Sequence, residues 1–212
     1  MSKKGISNSS DKLTKGEKTR LLILSKSIEL FGTHGYFNTS MQMIASECDL
    51  SQGAVMQHFP SKNKLLETVR KFVSNSNHDF VDSQISISDD GYTSLIKHIK
   101  NNFQWALKFK SEASIIIIIY EHAFFDSEFK EIANAAFRLG TERILRYILA
   151  AQRENSIQIE KNVSSEQIAL IIHEFLVGLI IKNVPQTDKK KIWPEIEERI
   201  TFTLSKLLNY SN

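Results

Sequence analysis

The sequence predicts an all-α fold, on three observations. Glycine and proline are scarce, 8 and 3 in 212 residues, too few for the many turns of an all-β chain. Three segments open with a capping box, in which a hydroxyl and a side chain three residues on satisfy the free amides of a helix start. From Phe129 an apolar stripe runs through Ala133, Ala136, Phe137, Gly140, Ile144, Tyr147, Ile148 and Ala151 at helical period. A composition of 42% hydrophobic and 24% charged residues is that of a globular chain. The length suits one large domain or two small ones. The single cysteine, Cys48, excludes an internal disulfide framework and fits a reducing compartment. The polar start lacks the apolar core of a secretory signal, so a cytoplasmic location is expected.

Residues 1–13 are expected to form a flexible basic arm. Thr14 and Glu17 make the first capping box. Ile23, Ser27, Leu30 and Phe31 follow at helical spacing until Gly32 to Gly35 closes the run. Thr39 and Gln42 make the second box, opening a short helix through about Glu47. Cys48, Asp49 and Leu50 form a tight turn, and Ser51 begins another short helix that must stop before Pro60. Ser61 caps a longer helix carrying Leu65, Leu66, Val69, Phe72 and Val73. The polar stretch 83–91 breaks the pattern. A head with its connecting helix is therefore expected over residues 14–83, and a body over 84–212.

Within the body, residues 92–110 are helical. The β-branched run 115–119 would suit a strand in isolation; with no partner strand nearby it is read as a buried helix. Ser164 and Gln167 make the third box, ahead of residues 168–181, apolar except for His173, Glu174 and Gly178. These fall short of the ~20 residues of a membrane span, so a buried helix and no membrane partner are expected. Pro194 suits the first turn of a last helix, with Ile196, Ile200, Leu204, Leu207 and Leu208 on one side.

The net charge of +3 is unevenly placed. Residues 1–80 carry 11 Lys and Arg against 7 Asp and Glu, a balance of +4; residues 81–212 carry 16 against 17, a balance of −1. A basic end on a near-neutral body suits phosphate binding, and equally a merely solvated tail. Residues 14–66 decide between them: long helix, short helix, three-residue turn, short helix, cap, longer helix. The middle pair is a helix-turn-helix. Its second helix is short enough to lie in a major groove about 12 Å wide, with its first residues at base edges. Ala45 is small where the two helices cross, and Asp49 tolerates the left-handed backbone such a turn needs.

Ile23, Leu24, Leu30, Phe31, Gly35, Tyr36, Thr39, Ser40, Ile44, Ala45, Leu50, Ser51, Gly53, His58, Phe59, Lys62 and Leu65 fall at the spacings of the TetR-family regulators. Over about residues 14–70 the chain resembles that family; beyond, it is similar only in length and helical layout. The resemblance implies a dimeric transcription factor, usually a repressor, whose body binds a small effector and alters the spacing of two DNA heads. It implies that Thr39 and Ser40 contact phosphate, and that Ser51, Gln52, Gly53 and Ala54 open the recognition helix. Gln52 suits a bidentate contact with adenine, and Gly53 lets the backbone approach the groove. His58 and Lys62 would bind phosphate, with Met56 and Gln57 completing the DNA-facing set. Two positions depart from the family pattern. Met56 stands where the family usually has a Tyr that braces the DNA backbone, and methionine cannot donate a hydrogen bond. Asp49 stands where Gly is usual and places a carboxylate near the phosphates.

Residues 103–147 hold nine aromatics, against about four at the chain average of 9%. They fill a helical core or line an apolar cavity with a few polar groups. Phe103, Trp105, Tyr120, Phe124, Phe137, Tyr147 and His173 are the candidates for an effector pocket, with His122 and Glu174 as further polar candidates. His98, His122, His173, Glu121 and Glu174 lie on separate segments without metal-ligand spacing, so no metal or other cofactor is expected. Nothing pairs a nucleophile with a base, and no enzyme is expected. The alternatives are an effector-independent global regulator or activator of the same fold and, remotely, a helical enzyme or lipid-binding protein. The expected partners are double-stranded operator DNA, an apolar effector and a second copy of the chain. Leu170, Val177, Gly178, Ile181, Ile200, Leu204 and Leu207 are the expected dimer face, because the helix over 168–181 is apolar almost all round.

Overall fold

From residue 13 to residue 185, every helix start but the one after Phe109 falls where a side chain takes up free amides. The computed structural model describes residues 13–185 and 189–210, so the expected arm lies, save Leu13, outside the described residues. Among the described residues the chain forms nine helices and no strand: α1 (Lys15–His34), α2 (Met41–Glu47), α3 (Gln52–His58), α4 (Lys62–Asp82), α5 (Gly91–Lys108), α6 (Lys110–His122), α7 (Ser127–Arg153), α8 (Ser165–Asn183) and α9 (Lys189–Leu207). Thr14 and Glu17 close the first capping box, with Oγ1 accepting from Glu17 N at 3.2 Å and Oε2 accepting from Thr14 N at 2.8 Å. Ser164 and Gln167 do the same ahead of α8. The middle box is corrected by one residue. Ser40, not Thr39, caps α2, its Oγ accepting from Met43 N at 3.1 Å, because the Thr39 hydroxyl is spent inside the fold.

Of two further expectations, the buried helix over 115–119 holds and the place of Pro194 is refined. Residues 115–119 lie in α6, with Ile115, Ile118 and Ile119 buried; burial overrides the strand preference of β-branched residues. The last helix begins at Lys189, so Pro194 sits past its first turn and costs the helix one backbone bond.

The chain divides into two compact units, Met1–Phe72 and Val73–Asn212. α4 ends at Asp82, beside the boundary the sequence suggests, while the division itself falls inside the helix. In the first unit Ile23, Phe31, Ile44, Ala45, Val55, Phe59, Leu65, Leu66 and Val69 are at most 1% exposed. They lock α2 and α3, each of seven residues and too short to persist alone. In the second unit α5 packs on α7 and α9, and α7 on α8. Its core holds Leu95, Ile99, Phe103, Trp105, Ile115, Ile144, Ile148 and Ile172, with Ile196, Ile200 and Leu204 of α9 closing it. Among the described residues no helix is long and apolar enough to cross a membrane.

Candidate nucleic-acid interface and body clefts

The α2–α3 turn is built from backbone. Cys48 N and Leu50 N both donate to Ala45 O, at 3.1 and 2.9 Å, and Asp49 takes the left-handed conformation at φ 54°. Ser51 caps α3 by accepting from Ala54 N at 3.1 Å. Val55 is the buried side chain of α3, while Ser51, Gln52, Gly53, Met56 and Gln57 are exposed and Ala54 and His58 half-buried. Gln52 Nε2 lies 3.9 Å from Met56 Sδ on the next turn. The candidate base-reading side chains therefore share one free face, and Ser40 lies exposed at the start of α2.

Two of the expected phosphate contacts have other tasks. Thr39 is 1% exposed, and its hydroxyl donates to Gly35 O at 2.8 Å and Leu30 O at 3.3 Å. Lys62 is half-buried, its ammonium donating to Tyr36 O and Thr39 O at 2.9 Å each and lying 4.2 Å from the Tyr36 ring. Burial holds its pKa below the usual lysine value. The reason is geometric: from the first residue of α4 a four-carbon stem reaches the carbonyls that end the α1–α2 loop. Lys62 thus fixes the segment that presents Ser40. Lys62→Ala is expected to destabilise the N-terminal unit by about 1–2 kcal/mol, since Thr39 O loses its lysine donor and Tyr36 O is left with Thr39 N alone, and to leave the slope of log affinity against log salt unchanged. A slope shallower by about one per half-site would return Lys62 to the phosphates.

Sequence reasoning missed Arg20. Its Nη1 donates to His58 O at 3.0 Å, and the guanidinium lies 4.2 Å over the Phe59 ring. A cation is thereby clamped on the carbonyl end of α3, where helix polarity favours it. The position was legible as a long cation three residues before buried Ile23, but spacing gives no hint of its partner.

The expected effector residues scatter over the second unit. Tyr147 lines a cleft of about 880 Å³ with His78, Asp82, Arg143, Arg146 and Leu149; Arg143 pairs with Asp82. Tyr120 and Phe137 line a second cleft of about 450 Å³ with Asn134, Arg138 and Leu170. Trp105 and Tyr120 share a small apolar cavity with Val177, Ile180 and Ile181. Two candidates are corrected. Phe103 is fully buried core, whereas Phe124, beyond α6, is 85% exposed; aromatic content marks neither direction nor depth. His173 stacks on Phe137 at 4.2 Å and shares a 2.9 Å hydrogen bond with Thr141, over Gly140, where a Cβ would lie 2.5 Å from its ring. Among the described residues no group of three or more His, Cys, Asp and Glu could hold a metal ion.

Burial keeps His98 neutral, pushing its pKa down to about 3 with help from the positive Arg143; burial likewise takes His173 to about 4. Both lie below the ~6.5 of an unfolded histidine, so on acidification the unfolded chain takes up protons first. Stability is whole above pH 6.5 and falls from there towards pH 4 for His173 and pH 3 for His98. The expected loss is about 1.4 kcal/mol per pH unit for each titrating histidine. Urea midpoints of the wild type and His98→Phe between pH 7 and 5 check this; a level wild-type midpoint contradicts it.

Of the expected dimer face, Leu170 and Ile181 are 41% and 49% exposed, Gly178 is exposed, and Val177 and Leu207 are half-buried. Ile200 and Leu204 are corrected: both are fully buried in their own unit, where the apolar stripe of α9 is used up. Ile171 on α8 and Phe202 on α9, at 44% and 62%, are exposed instead.

The family model described as bacterial regulatory proteins, tetR family, matches residues 23–69. The chain is 49% identical over 45 residues to the uncharacterized HTH-type transcriptional regulator YuxN of Bacillus subtilis, a match taking in 21% of this chain and 16% of that protein's length. It is 21% identical over 197 residues to the probable acrEF/envCD operon repressor of Escherichia coli, covering 89% of each. Its fold is similar to that of AibR, solved in complex with isovaleryl coenzyme A and operator DNA. The TM-score is 0.69 at 18% identity, over 91% of this chain and all of that one.

Proposed function

We propose that the chain, whose residues 23–69 match the model of the tetR family of bacterial regulatory proteins, is a transcriptional repressor that binds a near-palindromic operator as a homodimer and releases it when a small apolar or amphipathic effector enters its body. The observation that carries the reading is the free face of α3, with Gln52, Gly53, Met56 and Gln57 outward and Val55 and Phe59 inward. That is the arrangement a helix needs to enter a major groove without unfolding its unit. Repression follows the E. coli relative described as an operon repressor.

The dimer is supported by the apolar residues left outward on α8 and α9: Leu170, Ile171, Ile181 and Phe202. Two identical heads on a two-fold axis call for symmetric half-sites. The effector is supported by the two clefts of about 880 and 450 Å³, in the range of roughly 300–1,000 Å³ typical of ligand sites. AibR, of similar fold, is seen with both an acyl coenzyme A and operator DNA. An effector that favours one of two head spacings lowers operator affinity by its differential binding.

Selection of bound sequences from random duplex DNA, repeated with cell extract, tests the reading. The expected result is an inverted repeat whose binding weakens steeply with salt and weakens further with an extract component. Selection yielding no common sequence overturns it.

A further inference from the structure

Met56 is an apolar, 45% exposed side chain on the face of α3 that also carries Gln52. The pair is one helical turn apart, with the Gln52 amide nitrogen 3.9 Å from the Met56 sulfur. Single exposed apolar side chains are common and ordinarily mean nothing. This one lies beside an amide suited to adenine, on a helix whose inward side is already filled by Val55. A thioether has no proton to give a phosphate oxygen. What it offers is a flexible, polarisable apolar end.

We infer that Met56 is a specificity-determining residue, packing on the C5-methyl group of a thymine one or two base-pair steps from the adenine held by Gln52. In the major groove the methyl is the one apolar feature among the base-pair edges, and A·T is the pair that displays it. Four helical residues rise about 6 Å, and base pairs repeat every ~3.4 Å, so side chains one turn apart meet edges within two steps of each other. The inference rests on the helix-turn-helix reading above and names what that surface reads.

Deoxyuridine differs from thymidine by the methyl alone. With the selected operator, each thymine is replaced in turn by deoxyuridine and wild-type affinity measured. One position per half-site is expected to weaken binding about four-fold, the worth of one buried methyl. Met56→Ala is expected to bind the unmodified operator as the wild type binds an operator carrying deoxyuridine at that position in both half-sites, and to ignore the substitution. Gln52→Ala is expected to keep the methyl effect. Met56 makes no part of the core, and an unchanged melting curve for Met56→Ala confirms intact folding. Wild-type indifference to deoxyuridine at every thymine overturns the inference while leaving specific DNA binding in place. So does a methyl effect that survives in Met56→Ala. Absence of any selected sequence overturns the DNA-binding reading and this inference together.

Discussion

Replacing Gly91 by alanine is expected to cost the C-terminal unit about 3 kcal/mol or more, the upper end for overpacking. Gly91 opens α5 against α7, its N–H donating to Glu154 Oε2 at 2.7 Å. A Cβ there would lie 2.2 Å from Ala151 N and 2.8 Å from Ala150 C and Ala151 Cα. These are backbone atoms in the last turn of α7, with no rotamer to yield, so the start of α5 must lift off that turn. Against a total of about 5–15 kcal/mol for an ordinary domain, that loss removes a large share of the stability. Gly16→Ala is the control of opposite sign: it lies in α1 with nothing within 4 Å of its would-be Cβ, and should stabilise by about 0.5–1 kcal/mol. Thermal or urea unfolding reads both, and a Gly91→Ala midpoint equal to wild type would contradict the close approach.

The double replacement Leu170→Glu with Ile181→Glu is expected to yield a folded monomer whose operator affinity is lower by about a hundred-fold or more, since the second half-site is no longer delivered at high effective concentration. Both side chains are outward on α8 at 41% and 49% exposure, so two charges there leave the unit's own core untouched. Val177 would be a poorer choice, because it is half-buried where Leu170 and Ile181 are exposed. Sedimentation of wild type and variant at micromolar concentration reads the change. A wild-type monomer that still binds its operator tightly would refute the dimer.

How far the sequence could be read follows from what each signal measures. Capping boxes are local, so Thr14 and Ser164 mark their helices to the residue. The box at Thr39 fails by one position because a competing demand, the carbonyls of Gly35 and Leu30 that end α1, claims the hydroxyl. Periodicity tells which face of a helix is buried and not what buries it. Ile200 and Leu204 therefore look alike whether they close their own unit or meet a partner. The helix-turn-helix is legible because Ala45 and Asp49 must satisfy a local crossing and turn. Lys62 and Arg20 are not: each is a long cation whose acceptor lies 23 to 38 residues away in sequence, and composition counts them as charge for DNA.

The seven residues of α3 divide their labour sharply. One side chain, Val55, is buried among the core of its unit, and the exposed positions Gln52, Gly53, Met56 and Gln57 bear none of that weight. Surface substitutions away from structural contacts usually shift stability by less than about 0.5 kcal/mol. A lineage carrying this helix can therefore exchange Gln52, Gly53, Met56 or Gln57 one at a time without passing through an unfolded ancestor. On the proposed function, operator preference becomes a trait free to drift while the scaffold is inherited unchanged, and re-addressing the protein to a new promoter would be sought at the same four positions.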